Sequence, residues 1–241
     1  AAVQDRFGFI WIGTFSGLVR YDGYRLKTFS HQPGNPSSLS SNYIRTVFTS
    51  RNGTVWVGTT FGLNRFDLQT GQFERFYLTK WGEFCNEIRS ITEDAQGLLW
   101  LGTAKGVFVL NPQTKQIQPL PANASLTKAE YYIHTILADG KQVWIGTETG
   151  LYCYDIATKS FELFQKSDKP GSIPDNAAVA IAKNPKTGHI AVGSYNSTIS
   201  LLDPKTKRFR RIPLELNGNY TIKALISTRE GTFWGGTYGG G

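Results

Sequence analysis

Five of the six tryptophans of this chain stand in one recurring phrase: Trp11-Ile12-Gly13-Thr14, Trp56-Val57-Gly58-Thr59, Trp100-Leu101-Gly102-Thr103, Trp144-Ile145-Gly146-Thr147 and Trp234-Gly235-Gly236-Thr237. A degenerate copy, Ala191-Val192-Gly193-Ser194, fills the one gap. With lead positions 11, 56, 100, 144, 191 and 234, the phrase returns at steps of 43–47 residues. A unit of that length is too small to bury a core by itself. It must be a supersecondary element that gains its core by stacking on its copies.

The third unit shows what the element is. Ile88 to Glu93 reads as a strand, Asp94-Ala95-Gln96-Gly97 as a turn, and Leu98 to Thr103 as a second strand. Lys105-Gly106 turns again, Val107 to Leu110 is a third strand, and Asn111 to Lys115 leads into a fourth at Gln116 to Leu120. Asp and Asn open such turns by side-chain-to-backbone bonding, and Gly tolerates positive φ. Strands two and three are apolar on both faces, as befits a sheet packed between two others. No stretch of ten or more residues carries a helical period. The expected fold is therefore all-β, a β-propeller of four-stranded antiparallel blades.

The whole segment, 1–241, reads as one propeller segment with blade repeats at about 1–42, 43–86, 87–131, 132–176, 177–219 and a partial 220–241. That is about five and a half blades, where propellers close with 4–8. The ring is either part of a larger seven-bladed one or closes imperfectly. The start at Ala1 and the complete lack of Met favour the first, a piece of a longer chain.

Composition narrows the class. Hydrophobic residues at 40% and charged residues at 18% exclude an ordinary disordered chain. No apolar run approaches the ~18 residues of a membrane span. Two cysteines rule out a disulfide framework or a four-cysteine zinc site, and both are expected as free thiols. The net charge of +8 has a local source: Lys205, Lys207, Arg208, Arg210 and Arg211 crowd seven positions on a third turn and fourth strand. Such a cluster guards an edge strand against pairing, or else meets an anionic partner.

The phrase Asp-x-x-Gly-x-Leu-Trp-Leu-Gly-Thr-x-x-Gly-Val at Asp94 to Val107 resembles the two-component regulator propeller repeat. Arg20-Tyr21-Asp22 and Arg65-Phe66-Asp67 match its next segment, and Pro36 to Asn42 resembles its inter-blade linker. The fifth unit departs from it at Ala191 and Ser194. The resemblance implies the periplasmic, extracytoplasmic sensor part of a bacterial inner-membrane receptor. The output would be a histidine kinase or diguanylate cyclase, and carbohydrate binding, of an oligosaccharide, the usual input. None of the output motifs is present in this sequence.

Enzymatic chemistry is not supported by the residues. The turn carboxylates Asp5, Asp94 and Asp139 recur one per blade, which side-chain-to-backbone bonding explains, whereas glycosidase carboxylates must face each other across one site. The three histidines, His31, His134 and His189, lack a second ligand at metal spacing. No phosphate loop or nucleophile elbow is present, and no nucleic-acid module. The expectation is thus no catalytic residues, no metal and no cofactor. The repeat tryptophans are expected to fill the gaps between blades, each indole N–H on a backbone acceptor.

A ligand site is expected where recognition loops gather. The connections from strand four into the next strand one are long, at Ser30 to Asn42, Thr79 to Asn86, Pro121 to Tyr131 and Gln165 to Asn176, while the opposite turns are short. Long loops on a rigid scaffold carry recognition. The starts of the first strands gather aromatic and donor residues, and the expected ligand-binding set is Tyr43, Arg45, Trp81, Arg89, Lys105, Tyr131, His134, Tyr195 and Lys223. Trp81 stands off the repeat register, so blade packing has no evident need of it. Arg45, Arg89, His134 and Lys223 hold similar blade positions and are expected to share a ring of donors favouring an acidic oligosaccharide. The expected partners are an oligosaccharide or other small ligand and another propeller or receptor subunit, with no nucleic acid, and with the membrane met only through a segment outside this sequence. The competing reading is a protein-interaction scaffold without a small ligand.

Overall fold

The structure, a computed structural model, describes residues 1–120, 132–214, 218 and 220–238, with the Glu83 side chain left out. Tyr131, one of the expected site residues, lies outside the described residues. The chain divides into two compact units, Ala1–Ile133 and His134–Gly241.

The first unit contains three four-stranded antiparallel meanders. They are β1 (Ala2–Gln4), β2 (Ile10–Gly13), β3 (Leu18–Tyr21) and β4 (Leu26–Phe29); β5 (Ile44–Thr49), β6 (Val55–Thr59), β7 (Gly62–Phe66) and β8 (Phe73–Phe76); and β9 (Ile88–Glu93), β10 (Leu99–Thr103), β11 (Gly106–Leu110) and β12 (Ile117–Pro119). Two short 3-10 helices, Thr79–Trp81 and Glu83–Asn86, stand before β9.

The second unit contains two four-stranded sheets and one two-stranded sheet. These are β13 (Ile133–Asp139), β14 (Gln142–Thr147), β15 (Leu151–Asp155) and β16 (Ser160–Phe164); β17 (Ala180–Lys183), β18 (Ile190–Gly193), β19 (Ile199–Asp203) and β20 (Arg208–Ile212); and β21 (Thr221–Ser227) with β22 (Phe233–Tyr238). Each sheet falls within one sequence repeat, strand for strand as the periodicity predicts.

Three positions of the repeated phrase each have a physical task. The tryptophan fills the space between adjacent sheets: Trp11, Trp56, Trp100 and Trp144 are at most 3% exposed. Trp234, in the two-stranded sheet, is 63% exposed. The glycine lies where the next sheet's first strand passes. A Cβ on Gly58 would sit 2.7 Å from Ile88 O, and one on Gly146 2.3 Å from Ala178 O, both closer than packing allows. The threonine ties the following turn: Thr59 Oγ1 donates to Gly62 O at 3.0 Å and accepts the Phe61 N–H at 3.0 Å. Thr103 repeats both bonds with Gly106 and Lys105.

The threonine backbone also links sheet to sheet. The Ile44 N–H donates to Thr14 O, the Ala178 N–H to Thr147 O, and the Ile222 N–H to Ser194 O, at 2.9–3.0 Å. The degenerate Ala191-Val192-Gly193-Ser194 keeps this link and replaces the tryptophan's bulk with a fully buried Ala191 in an alanine-rich cluster with Ala180 and Ala182.

The indole N–H groups correct one expectation. Trp11 and Trp100 donate to the turn carboxylates of Asp5 and Asp94, at 2.8 Å each, rather than to backbone acceptors. The same carboxylates hold the backbone of their turns, as the sequence suggests. Cys85 and Cys153 are free and buried.

Candidate functional site

The first strands of three repeats carry a β-bulge near their starts. The β5–β6 register slips between Ile44 and Thr46, the β9–β10 register between Ile88 and Ser90, and the β21–β22 register between Ile222 and Ala224. The extra residues are Arg45, Arg89 and Lys223. A bulge leaves its extra residue out of the ladder and re-aims the side chain. It recurs at one blade position and each time carries a cation.

In the first unit the two bulged arginines meet on one carboxylate. Arg45 Nη2 and Arg89 Nη1 both lie 2.7 Å from Glu87 Oε1. Their side chains are 31% and 16% exposed, so the cluster is half-withdrawn from water. The Nε atoms of both arginines are buried and make no hydrogen bond among the described residues. Aromatic rings extend the cluster on either side. The Arg45 guanidinium lies 4.7 Å from the Tyr43 ring centroid, and Tyr43 packs at 4.6 Å against the exposed Phe15. The Arg89 guanidinium lies 3.8 Å over the Tyr132 ring and also donates to the Tyr132 hydroxyl. The result is a strip of alternating rings and charges, Phe15, Tyr43, Arg45, Glu87, Arg89, Tyr132, that crosses from the first repeat to the start of the fourth. Its two cations and one carboxylate leave one positive charge, not an unopposed pair of donors.

The second unit holds a separate group. His134 Nε2 lies 2.8 Å from Glu148 Oε1, and the Tyr195 hydroxyl donates to the same oxygen at 2.6 Å. The His134 side chain is 4% exposed and that of Glu148 46%. The Lys223 ammonium lies 5.5 Å from the Tyr195 ring centroid.

Trp81 is placed differently from the expectation that packing has no need of it. It closes the first 3-10 helix, lies 5.2 Å from the Phe108 ring and packs on the core formed with Trp56, Leu78 and Leu101. Lys80 caps its ring at 4.0 Å. Lys105 is exposed, 6.0 Å from the Phe84 ring. The Ser30 to Asn42 connection is also pinned. Leu39 is fully buried, and Arg75 holds Ser38 O, Leu39 O and Asn35 O at 2.7–3.0 Å. Among the described residues no group of three or more His, Cys, Asp or Glu could hold a metal ion.

Residues 38–61 and 82–105 match the family model of the two-component regulator propeller. These two segments are similar to two-component regulator propeller repeats, and they cover 48 of the 241 residues. Each matched segment runs from the end of a linker through the bulged first strand and the tryptophan phrase, so the model covers the Tyr43–Arg45 and Glu87–Arg89 positions.

Solved structures agree on the propeller fold. The chain aligns over its whole length, at 22% identity and a TM-score of 0.76, with 38% of the extracellular domain of the B. thetaiotaomicron protein named as hybrid two-component system BT3049. It aligns over 98%, at 21% identity and a TM-score of 0.65, with 36% of the extracellular domain of BT4673 of the same organism. The structure of U3-55K is matched at 12% identity and a TM-score of 0.69, over 93% of this chain and 69% of that one. At these identities the likeness is one of fold, and the chain spans little more than a third of the two B. thetaiotaomicron domains. No curated protein matches the chain.

Against the repeats, the sequence reading missed Glu87, Glu148 and Tyr132. The signal for Glu87 lay two residues from Arg89, but its role as the shared acceptor depends on Arg45, which comes from the preceding repeat.

Proposed function

We propose that this chain forms part of a non-enzymatic, extracytoplasmic ligand-sensing propeller of a bacterial signal-transduction receptor, and that it binds an oligosaccharide at the starts of its first strands. The observation that carries the reading is the pair of bulged arginines on Glu87, flanked by Tyr43 and Tyr132. Aromatic faces stack on the apolar faces of sugar rings. A guanidinium fixed by one carboxylate keeps donors for ring hydroxyls or a sugar carboxylate. Glu87 adds an acceptor, which a purely anion-selecting ring would lack.

The family match and the likeness to the two B. thetaiotaomicron extracellular domains support the receptor setting. No described helix is long and apolar enough to cross a membrane, and the periplasmic placement follows from the receptor reading. Bound sugar would act by binding two receptor states unequally, through contacts with another propeller or a second subunit.

The test is calorimetric titration with panels of neutral and acidic oligosaccharides. A member of the panels is expected to bind the unmodified chain and to bind Arg45→Ala/Arg89→Ala at least about tenfold more weakly, the loss of about 1.4 kcal/mol. Equal binding by the double variant contradicts the site. Failure of every glycan contradicts the oligosaccharide reading and favours a protein-interaction scaffold.

A further inference from the structure

The second repeat differs from its neighbours at one turn. In repeats one and three an aspartate stands six residues before the tryptophan and takes its indole N–H. In repeat two that place is Ser50. Its hydroxyl is engaged within its own turn, with Asn52 Oδ1 at 2.6 Å and Thr54 O at 3.1 Å. Trp56 is 1% exposed, yet among the described residues its indole N–H meets no acceptor. Unlike Trp144 Nε1, this atom is not a fully enclosed unpartnered donor, so the small exposure of Trp56 leaves its indole edge open to solvent.

The missing acceptor coincides with a space. Trp56 and Ser50 line a groove of about 680 Å³ between the sheets of repeats two and three, at the β5–β6 and β9–β10 turns. Arg51, Arg65, Gln96 and Lys115 also line it. Arg65 stands directly across the ladder from Trp56. Glu74 pairs with Arg65 at 2.5 Å and with Lys115, and Glu93, also in the lining, accepts the Arg51 backbone N–H at 2.7 Å. Asp67 also interacts with Arg65, so the groove's charges are close to balanced and its cations are held in place by neighbouring carboxylates. The turns bounding the groove lie at the other ends of the strands from the Arg45 and Arg89 bulges.

We propose that this groove binds a small organic carboxylate, whose carboxylate group takes the place that Asp5 and Asp94 fill in the adjacent repeats. It accepts from Trp56 Nε1 and from the guanidinium of Arg65, and Gln96 offers an amide to a neighbouring hydroxyl. The template is already in the chain: twice, a carboxylate sits against this indole edge. The third position has the donor, the cations and the room, and lacks only the acid. The site is independent of the ligand face proposed above.

The experiment follows the Trp56 indole resonance in ¹H–¹⁵N correlation spectra, assigned by its loss in Trp56→Phe. The probes are sodium acetate and sodium glucuronate, with sodium chloride and glucose at matched concentration as controls. A saturable shift with both carboxylates and none with the controls is expected. Ser50→Asp supplies the acid from the chain itself. It is expected to shift the resonance without any probe and to weaken carboxylate binding at least tenfold. Arg65→Gln, which keeps the groove's shape, is expected to weaken it severalfold. A groove that holds only water gives no saturable shift, and that result overturns the proposal. Unchanged binding in Ser50→Asp overturns it too. Neither readout involves Arg45 or Arg89, so failure here is distinct from failure of the oligosaccharide reading.

Discussion

The Trp100 indole N–H donates to Asp94 Oδ2 across 2.8 Å, while Oδ1 of the same carboxylate accepts the backbone N–H groups of Gln96 and Leu98. One buried side chain thus joins the β9–β10 turn to the tryptophan between the sheets. Asp94→Ala strands three donors around a residue that is 2% exposed. The expected cost is about 2–4 kcal/mol: the buried indole N–H loses its partner at about 1–3 kcal/mol, and the two part-buried backbone N–H groups turn partly to water. It should be read as a lower urea midpoint at unchanged slope.

The fourth repeat supplies the opposite case. Its turn is one residue shorter, Asp139 pairs with Lys183, and the buried Trp144 Nε1 has no acceptor among the described residues. Trp144→Phe leaves a small cavity but removes an unsatisfied buried donor, so the two effects oppose and it should be the milder of the two Phe variants. Trp100→Phe leaves Asp94 Oδ2 unpaired and should cost about 1–3 kcal/mol more than that. Replacement of either by Ala should cost about 3–5 kcal/mol. The ranking of the two Phe variants in parallel denaturation curves decides the point.

These contrasts mark what sequence could and could not reveal. The Trp-Gly-Thr period defined the strands, the turns and the buried tryptophans, because each is enforced locally and repeated. The Asp–Trp bond was missed: the six-residue spacing Asp5/Trp11 and Asp94/Trp100 is present in the sequence, but only the folded hairpin brings the turn carboxylate, rather than a backbone carbonyl, to the indole edge. Glu87 could not be weighed, because its partner Arg45 comes from a different repeat and meets it only through packing of adjacent sheets. Trp81 misled for a related reason: the repeat register says nothing about a 3-10 helix that folds back onto Phe108.

Burial pushes the Cys153 thiol up to about 11. The folded chain therefore holds this proton more tightly than the unfolded chain, whose thiol titrates near the ordinary value of 9.0. The sign follows from linkage: the contribution is fully present below the unfolded pKa and is lost as pH rises from about 9 towards 11. Denaturation midpoints of the wild type should fall across that window more than those of Cys153→Ala. At pH 8 a thiol-specific reagent should leave Cys153 unmodified until the chain is unfolded.

The most direct test of the sensor account is hydrogen–deuterium exchange with and without a saturating amount of the tightest-binding oligosaccharide of the panels. The account predicts new protection at the starts of β5 and β9 and at Tyr132, around the bulges that aim Arg45 and Arg89. Protection confined to the turns at 50–54 and 94–98, or none at saturation, would contradict it.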